Sequence, residues 1–193
     1  MYLRESSMPA QDQWEALFNV GFILDRFGLS GDVAELGCGY GTFTLPLARR
    51  TSGTVHAIDI DPAMVDTVRR RAAAEHLSNI DVQVRDVTTA GFALAEGSCE
   101  ACLLFNILHG ESPRELMREA RRILRPEGIL AVIHWRSDIA TPRGPPLGIR
   151  PTPPMIVEWA MQVGGLEVLD GPFDLPPWHY GLKFVRGRRV PSP

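Results

Sequence analysis

At 193 residues the chain is long enough to bury one full α/β core, and its length points to a single domain. Hydrophobic residues make up 45% and charged residues 22%, a globular composition, and no apolar run approaches the ~20 residues that a membrane helix requires. The net charge of -3 gives no overall pull on nucleic acid, so neither a membrane nor a nucleic acid is expected as partner.

The N-terminus, Met1-Tyr2-Leu3-Arg4-Glu5, has no apolar core of the signal-peptide kind, and a cytoplasmic protein is expected. Over 10–28, Trp14, Leu17, Phe18, Phe22 and Ile23 fall near helical spacing, predicting one capping helix that ends near Gly28. Strand-like and helix-like segments then alternate: strand 32–37, helix 42–50, strand 54–59, helix 62–76 and strand 80–85. They continue as strand 100–106, helix 112–124 and strand 128–135. Pro62 after Asp61 is a helix-start signal, and Arg125-Pro126-Glu127-Gly128 is a stop. Strands separated by helices imply parallel pairing through right-handed crossovers. From Arg136 to Pro154 six prolines stiffen a segment without periodicity, placed to act as a lid. A helix at 153–163, a strand near 166–170 and a last strand over 180–186 follow, and 187–193 is expected to fray.

The densest signature is Val33-Ala34-Glu35-Leu36-Gly37-Cys38-Gly39-Tyr40-Gly41-Thr42. An apolar run ends in an acid, and glycines at alternate positions let the backbone turn sharply against a ligand. Eighteen residues past Gly41 a second strand ends in Asp59. Glycine loop, helix, strand, acid is the layout of a nucleoside-binding crevice, with the acid placed to hold ribose hydroxyls. A dinucleotide fingerprint needs its third glycine at position 42, where this chain has Thr42.

The G-x-G-x-G spacing, with Glu35 two residues before the first glycine, resembles motif I of the class I S-adenosylmethionine-dependent methyltransferases. The resemblance covers 30–135 and implies a Rossmann-like α/β fold: a doubly wound sheet of seven strands, mostly parallel with the last antiparallel, and helices on both faces. It divides the domain into the capping helix 10–28, a cofactor-binding core 30–135 and a substrate side 136–193. It implies S-adenosylmethionine as cofactor, leaving as S-adenosylhomocysteine. Gly37, Cys38, Gly39 and Gly41 would approach its methionine portion, with Glu35 toward the ammonium end. Asp59 and Ile60 would meet the ribose, Asp86 and Val87 the adenine, and Asn106 the amino-acid end.

Methyl transfer needs alignment more than a catalytic residue. His109, His179 and Tyr180 are the candidates for acid–base work, the last two expected on a loop before the final strand; His134, opposite Trp135 on a strand, reads as core. The expected acceptor is a small molecule, and the oligomeric state is left open, a homodimer among the options. Competing readings are a nicotinamide-dependent oxidoreductase, opposed by Thr42 and by a single lysine, Lys183, and a non-catalytic cofactor-binding sensor or accessory protein. Cys99 and Cys102 are spaced C-x-x-C, but three residues along a strand send side chains to opposite faces, and no second pair completes a zinc site. All three cysteines read as small apolar residues, and no metal is expected.

Overall fold

A computed structural model describes residues 8–188. Seven strands form one sheet in the order β3-β2-β1-β4-β5-β7-β6. They are β1 (Val33–Leu36), β2 (Val55–Asp59), β3 (Ile80–Val84), β4 (Cys99–Phe105), β5 (Leu124–Trp135), β6 (Leu166–Leu175) and β7 (His179–Arg186). The first five pair in parallel. β7 runs antiparallel to both neighbours, with Trp135 opposite His179 and His134 opposite Tyr180.

Helices cover both faces because both faces are apolar. On one side α6 (Pro113–Ile123) and α7 (Pro153–Val163) bury Met117, Ala120 and Ile156 against Ala34, Leu104, Val132 and Leu182. On the other, α2 (Val20–Phe27) and α3 (Thr44–Ala48) bury Phe27 and Leu47 against Val33, Leu103 and Ile133. A side chain of this size contributes about 1.5–3 kcal/mol when fully buried, so the sheet could not stand with either face bare. α4 (Pro62–Ala74) starts as predicted, Asp61 accepting from the Ala63 N–H ahead of Pro62.

Four expectations change. The single helix over 10–28 is two, α1 (Gln11–Glu15) and α2. The chain turns between them, and the Asn19 side chain caps α2 by accepting from the Phe22 N–H. The helix before the Arg125–Gly128 stop ends as expected, at Ile123, but the strand expected at 128–135 starts earlier: buried Leu124 already pairs with Cys99, and the exposed residues bulge before pairing resumes at Ala101 and Ile129. Cys99 and Cys102, expected on opposite faces, are buried in one cluster; the register irregularity between Cys99 and Ala101 lies between them. Finally, a short α5 (Val87–Ala90) follows β3, a four-residue turn without the length to show periodicity. Residues 189–193, part of the expected frayed tail, lie outside the described residues.

Candidate active site

The strand order reverses between β1 and β4, and the loops leaving these two strands flank one crevice, where open α/β sheets take ligands. The glycine loop after β1 is tied down by backbone bonds. The N–H groups of Gly37 and Cys38 both donate to the Ile58 carbonyl, at 2.8 and 3.2 Å, and Gly41 donates to the Cys38 carbonyl at 2.8 Å. Gly37, Gly39 and Gly41 have φ of 75°, 51° and 80°, which side chains oppose. Their open sides serve different purposes. A Cβ on Gly41 would stand 2.3 Å from Leu45 Cδ1, so this glycine lets α3 pack close. A Cβ on Gly37 would stand 3.1 Å from Ile107 of the opposite loop, so this one faces across the crevice.

Asp59 ends β2 directly beneath the loop. Its Oδ2 accepts from the Gly39 N–H at 2.8 Å and its Oδ1 from the Asp61 N–H at 3.0 Å. Burial raises its carboxyl above the ordinary value while those two bonds pull it back. Ile60 follows, half-buried. Glu35 lies deeper, 2% exposed, and accepts from the Thr44 hydroxyl at 2.5 Å. Burial pushes its carboxyl up to about 8, against the lowering effect of that bond. The Thr44 contact was not anticipated; the available signal was a hydroxyl residue opening the helix that follows the loop. Cys38 turns inward against Ala57 and Val68, and burial raises its thiol far above the ordinary range.

Across the crevice, Asn106 takes a φ of 59°, and its side-chain oxygen is buried with no hydrogen-bond partner among the described residues. A buried acceptor left so costs about 1–3 kcal/mol. Asp86 serves a local purpose in this structure: it caps α5, accepting from both the N–H and the hydroxyl of Thr88, and the hydroxyl bond holds its carboxyl below the ordinary value. Val87 beside it is buried.

Past Asn106, His109 follows β4, half-buried, with its Nδ1 unpartnered among the described residues; burial lowers its pKa. His134 lies 5.5 Å away, ring to ring, fully buried and lowered to about 3, chiefly by burial. His179 and Tyr180 are not on a loop. They open β7, because the β6–β7 turn is tight and β5 extends far enough to pair with both. His179 is 1% exposed and stacks between Phe18 at 4.6 Å and Trp135 at 4.2 Å, and burial lowers it to about 3. The Tyr180 hydroxyl donates to the Pro151 carbonyl at 2.7 Å, and burial raises its phenol.

The proline-rich stretch does fold over the end of β5. Gly144 sits against the Trp135 ring, where a Cβ would come within 2.7 Å. Arg150 holds this cover together: its guanidinium donates to the carbonyls of Pro145 and Arg136 at 2.8 Å and reaches those of Arg143 and Ile139. It is 7% exposed, and Arg150→Met removes every one of these bonds at once. We expect that variant to be cut by thermolysin within 136–150 at least about tenfold faster than wild type, because each lost bond makes local opening easier. Equal cleavage rates would mean that prolines alone hold the segment.

The site thus combines a buried acid, a glycine loop, a strand-end acid and an orphan amide oxygen on the two sides of a switch point. That defines a nucleoside-binding crevice of the Rossmann-like kind. Residues 33–128 match the family model for the methyltransferase domain. An uncharacterized 37.1 kDa protein in transposon TN4556 of Streptomyces fradiae is 39% identical over 101 residues, 51% of this chain and 28% of that one. Aklanonic acid methyltransferase DauC of Streptomyces sp. (strain C5) is 40% identical over 62 residues, 31% of this chain and 28% of that one. These matches thus span under a third of either relative. Among solved structures, an S-adenosylmethionine-dependent methyltransferase from Aquifex aeolicus superposes with a TM-score of 0.79 at 21% identity, over 91% of this chain and 93% of that one. The chain belongs to the class I S-adenosylmethionine-dependent methyltransferases.

The residues present fit that cofactor. Asn106 Oδ1 and the Glu35 carboxyl are buried acceptors suited to an ammonium group, and Asp59 offers two oxygens for a ribose. Among the described residues, no group of three or more His, Cys, Asp or Glu is placed to hold a metal ion, and no helix is long and apolar enough to cross a membrane.

Proposed function

We propose that the protein transfers the methyl group of S-adenosylmethionine to a small-molecule acceptor by in-line displacement. The observation that carries the reading is the meeting of Glu35, the glycine loop and Asp59 on one side of the switch point with Asn106 and His109 on the other. The name of the Streptomyces relative DauC, a methyltransferase of aklanonic acid, supports a small organic acceptor. The cofactor supplies a methyl carbon carrying a positively charged sulfur as leaving group. Asp59 holds the ribose hydroxyls, Glu35 and Asn106 the ammonium end, and Asp86 with Val87 the adenine. Holding acceptor and methyl carbon in line can lower the barrier by about 7–11 kcal/mol.

His109 is the residue we assign to proton removal. Burial lowers the pKa of its ring, against a bond to the Asn106 backbone that raises it, and its Nδ1 is buried beside the β4 loop without a partner among the described residues. His179 and Tyr180 we assign to shaping the wall instead, since one is sandwiched between aromatic rings and the other is bonded to the Pro151 carbonyl.

One observation favours a second reading, a cofactor-binding sensor. Trp135, at the end of β5, is 1% exposed and packed among Trp14, Phe18 and His179, so its ring leaves little open space at that strand end. The deciding experiment supplies labelled S-adenosylmethionine with a panel of phenols, carboxylic acids and amines and follows label into product by mass spectrometry. Transfer that falls sharply in His109→Ala supports the enzyme. Tight cofactor binding with no transfer to any of them favours the sensor.

A further inference from the structure

Of the three loop glycines, Gly37 is exposed but Gly39 is buried. On the side a Cβ would occupy, what meets Gly39 is not the sheet or a core helix. It is Met8, from the segment ahead of α1: a Cβ on Gly39 would stand 3.1 Å from both the Sδ and the Cε of Met8. The space that a missing side chain leaves for a ligand is therefore taken by a thioether of this chain.

The segment is held there by the loop itself. The Tyr40 hydroxyl, from the residue between two of the glycines, donates to the Pro9 carbonyl at 2.9 Å. Arg71 on α4 clamps both partners at once, donating from Nη1 to Glu15 at 2.7 Å and to the Tyr40 carbonyl at 2.6 Å. The chain then turns without helix between α1 and α2. Residues 16–20, around that turn, and Pro176-Pro177 line an open depression of about 540 Å³.

We propose that Met8–Glu15 is a clasp that competes with the cofactor for the glycine loop, with Met8 as the competing group and Tyr40 and Arg71 as positioning residues that set how long it stays shut. This rests on the cofactor reading above and adds a step to it: the clasp must lift before the loop can be filled. When only the open fraction binds, apparent affinity is reduced by that fraction. Weakening the clasp should therefore speed association and tighten apparent binding. A clasp that merely formed a wall of the filled site would do the reverse.

The test is stopped-flow and calorimetric binding of S-adenosylmethionine and S-adenosylhomocysteine to wild type, Met8→Ala and Tyr40→Phe, with hydrogen exchange over residues 8–18. Tyr40→Phe keeps the ring and removes one hydrogen bond, a change worth about two- to tenfold in a closing equilibrium. We expect association about fivefold faster in each variant, a Kd lower by a similar factor, and exchange over 8–18 that rises on binding in wild type. Unchanged association, or faster dissociation with weaker binding, overturns the clasp and leaves the cofactor site standing. Binding by the variants but not by wild type supports the clasp in its strongest form. Silence from all three proteins overturns the cofactor reading, and the clasp with it.

Discussion

Asp59→Ala should bind S-adenosylmethionine at least about 100-fold more weakly than wild type, since hydrogen bonds to a charged group are worth about 1.5–3 kcal/mol each and two ribose hydroxyls lose theirs. A second loss adds to the first. Asp59 is also the acceptor for the Gly39 N–H and the Asp61 N–H, so its removal frees the glycine loop from β2 at the place where a ligand must approach the backbone. Asp59→Asn should do little better. One of its two side-chain positions becomes an N–H group, which must face either a backbone N–H or a ligand hydroxyl that had an acceptor there. Isothermal titration of the two variants reads this directly. Retention of binding within about threefold in Asp59→Ala, under 1 kcal/mol, would remove this residue from the ribose site.

Titration of Glu35 should make cofactor binding depend on pH. In the free protein burial pushes this carboxyl up to about 8, so at pH 7 it is mostly protonated. An ammonium group placed against it favours the carboxylate, so binding must expel the proton. Affinity should then rise about tenfold per pH unit while Glu35 is protonated in the free protein and ionised in the complex, and level off above about pH 8. Calorimetry at pH 7 in buffers of different ionisation enthalpy should register release of close to one proton.

The same residue acts in the opposite sense on folding. Its unfolded value is 4.5, so between pH 4.5 and 8 the folded protein keeps a proton that the unfolded chain has lost, and stability falls as pH rises through that window. Glu35→Gln has no such proton. It should melt higher than wild type at pH 9, with the gap closing toward pH 4.5, while binding the cofactor more weakly. A pH-independent affinity would mean that Glu35 stays neutral in the complex.

The glycine loop and the two strand-end acids were legible because such residues declare themselves by spacing. Three glycines at alternate positions, an acid two residues upstream and another at the end of the next strand leave the backbone few other uses, and the fold gathers them at the adjacent ends of β1 and β2. Asp86 shows the limit of that logic. A strand-end acid is equally a helix cap, and with Thr88 two residues on, a cap is what the structure displays.

The substrate half was harder for a physical reason. Whether His179 lies on a loop or in a strand depends on how far β5 extends and on where an antiparallel partner pairs with it, both long-range facts. Local sequence shows only prolines followed by two aromatic rings and suggests an exposed turn. The break between α1 and α2 was hidden similarly. Apolar spacing continues through it because Leu17 and Phe18 are buried from the turn itself, Phe18 by packing onto Phe43, Trp135 and His179 rather than by helical phase.

The antiparallel insertion of β7 divides labour in the sheet. Strands β1 to β5 run the same way, so each reaches the crevice only at its carboxyl end and must then travel the length of the molecule to return. The β6–β7 hairpin comes back to that edge in a three-residue turn, 176–178, anchored by seven paired positions along β5. Such a turn can lengthen or change composition at small entropic cost without disturbing the registers that hold Glu35 and Asp59. The hairpin is in effect a cassette. Its tip can be rewritten for a different molecular surface while the nucleoside half of the protein stays as it is.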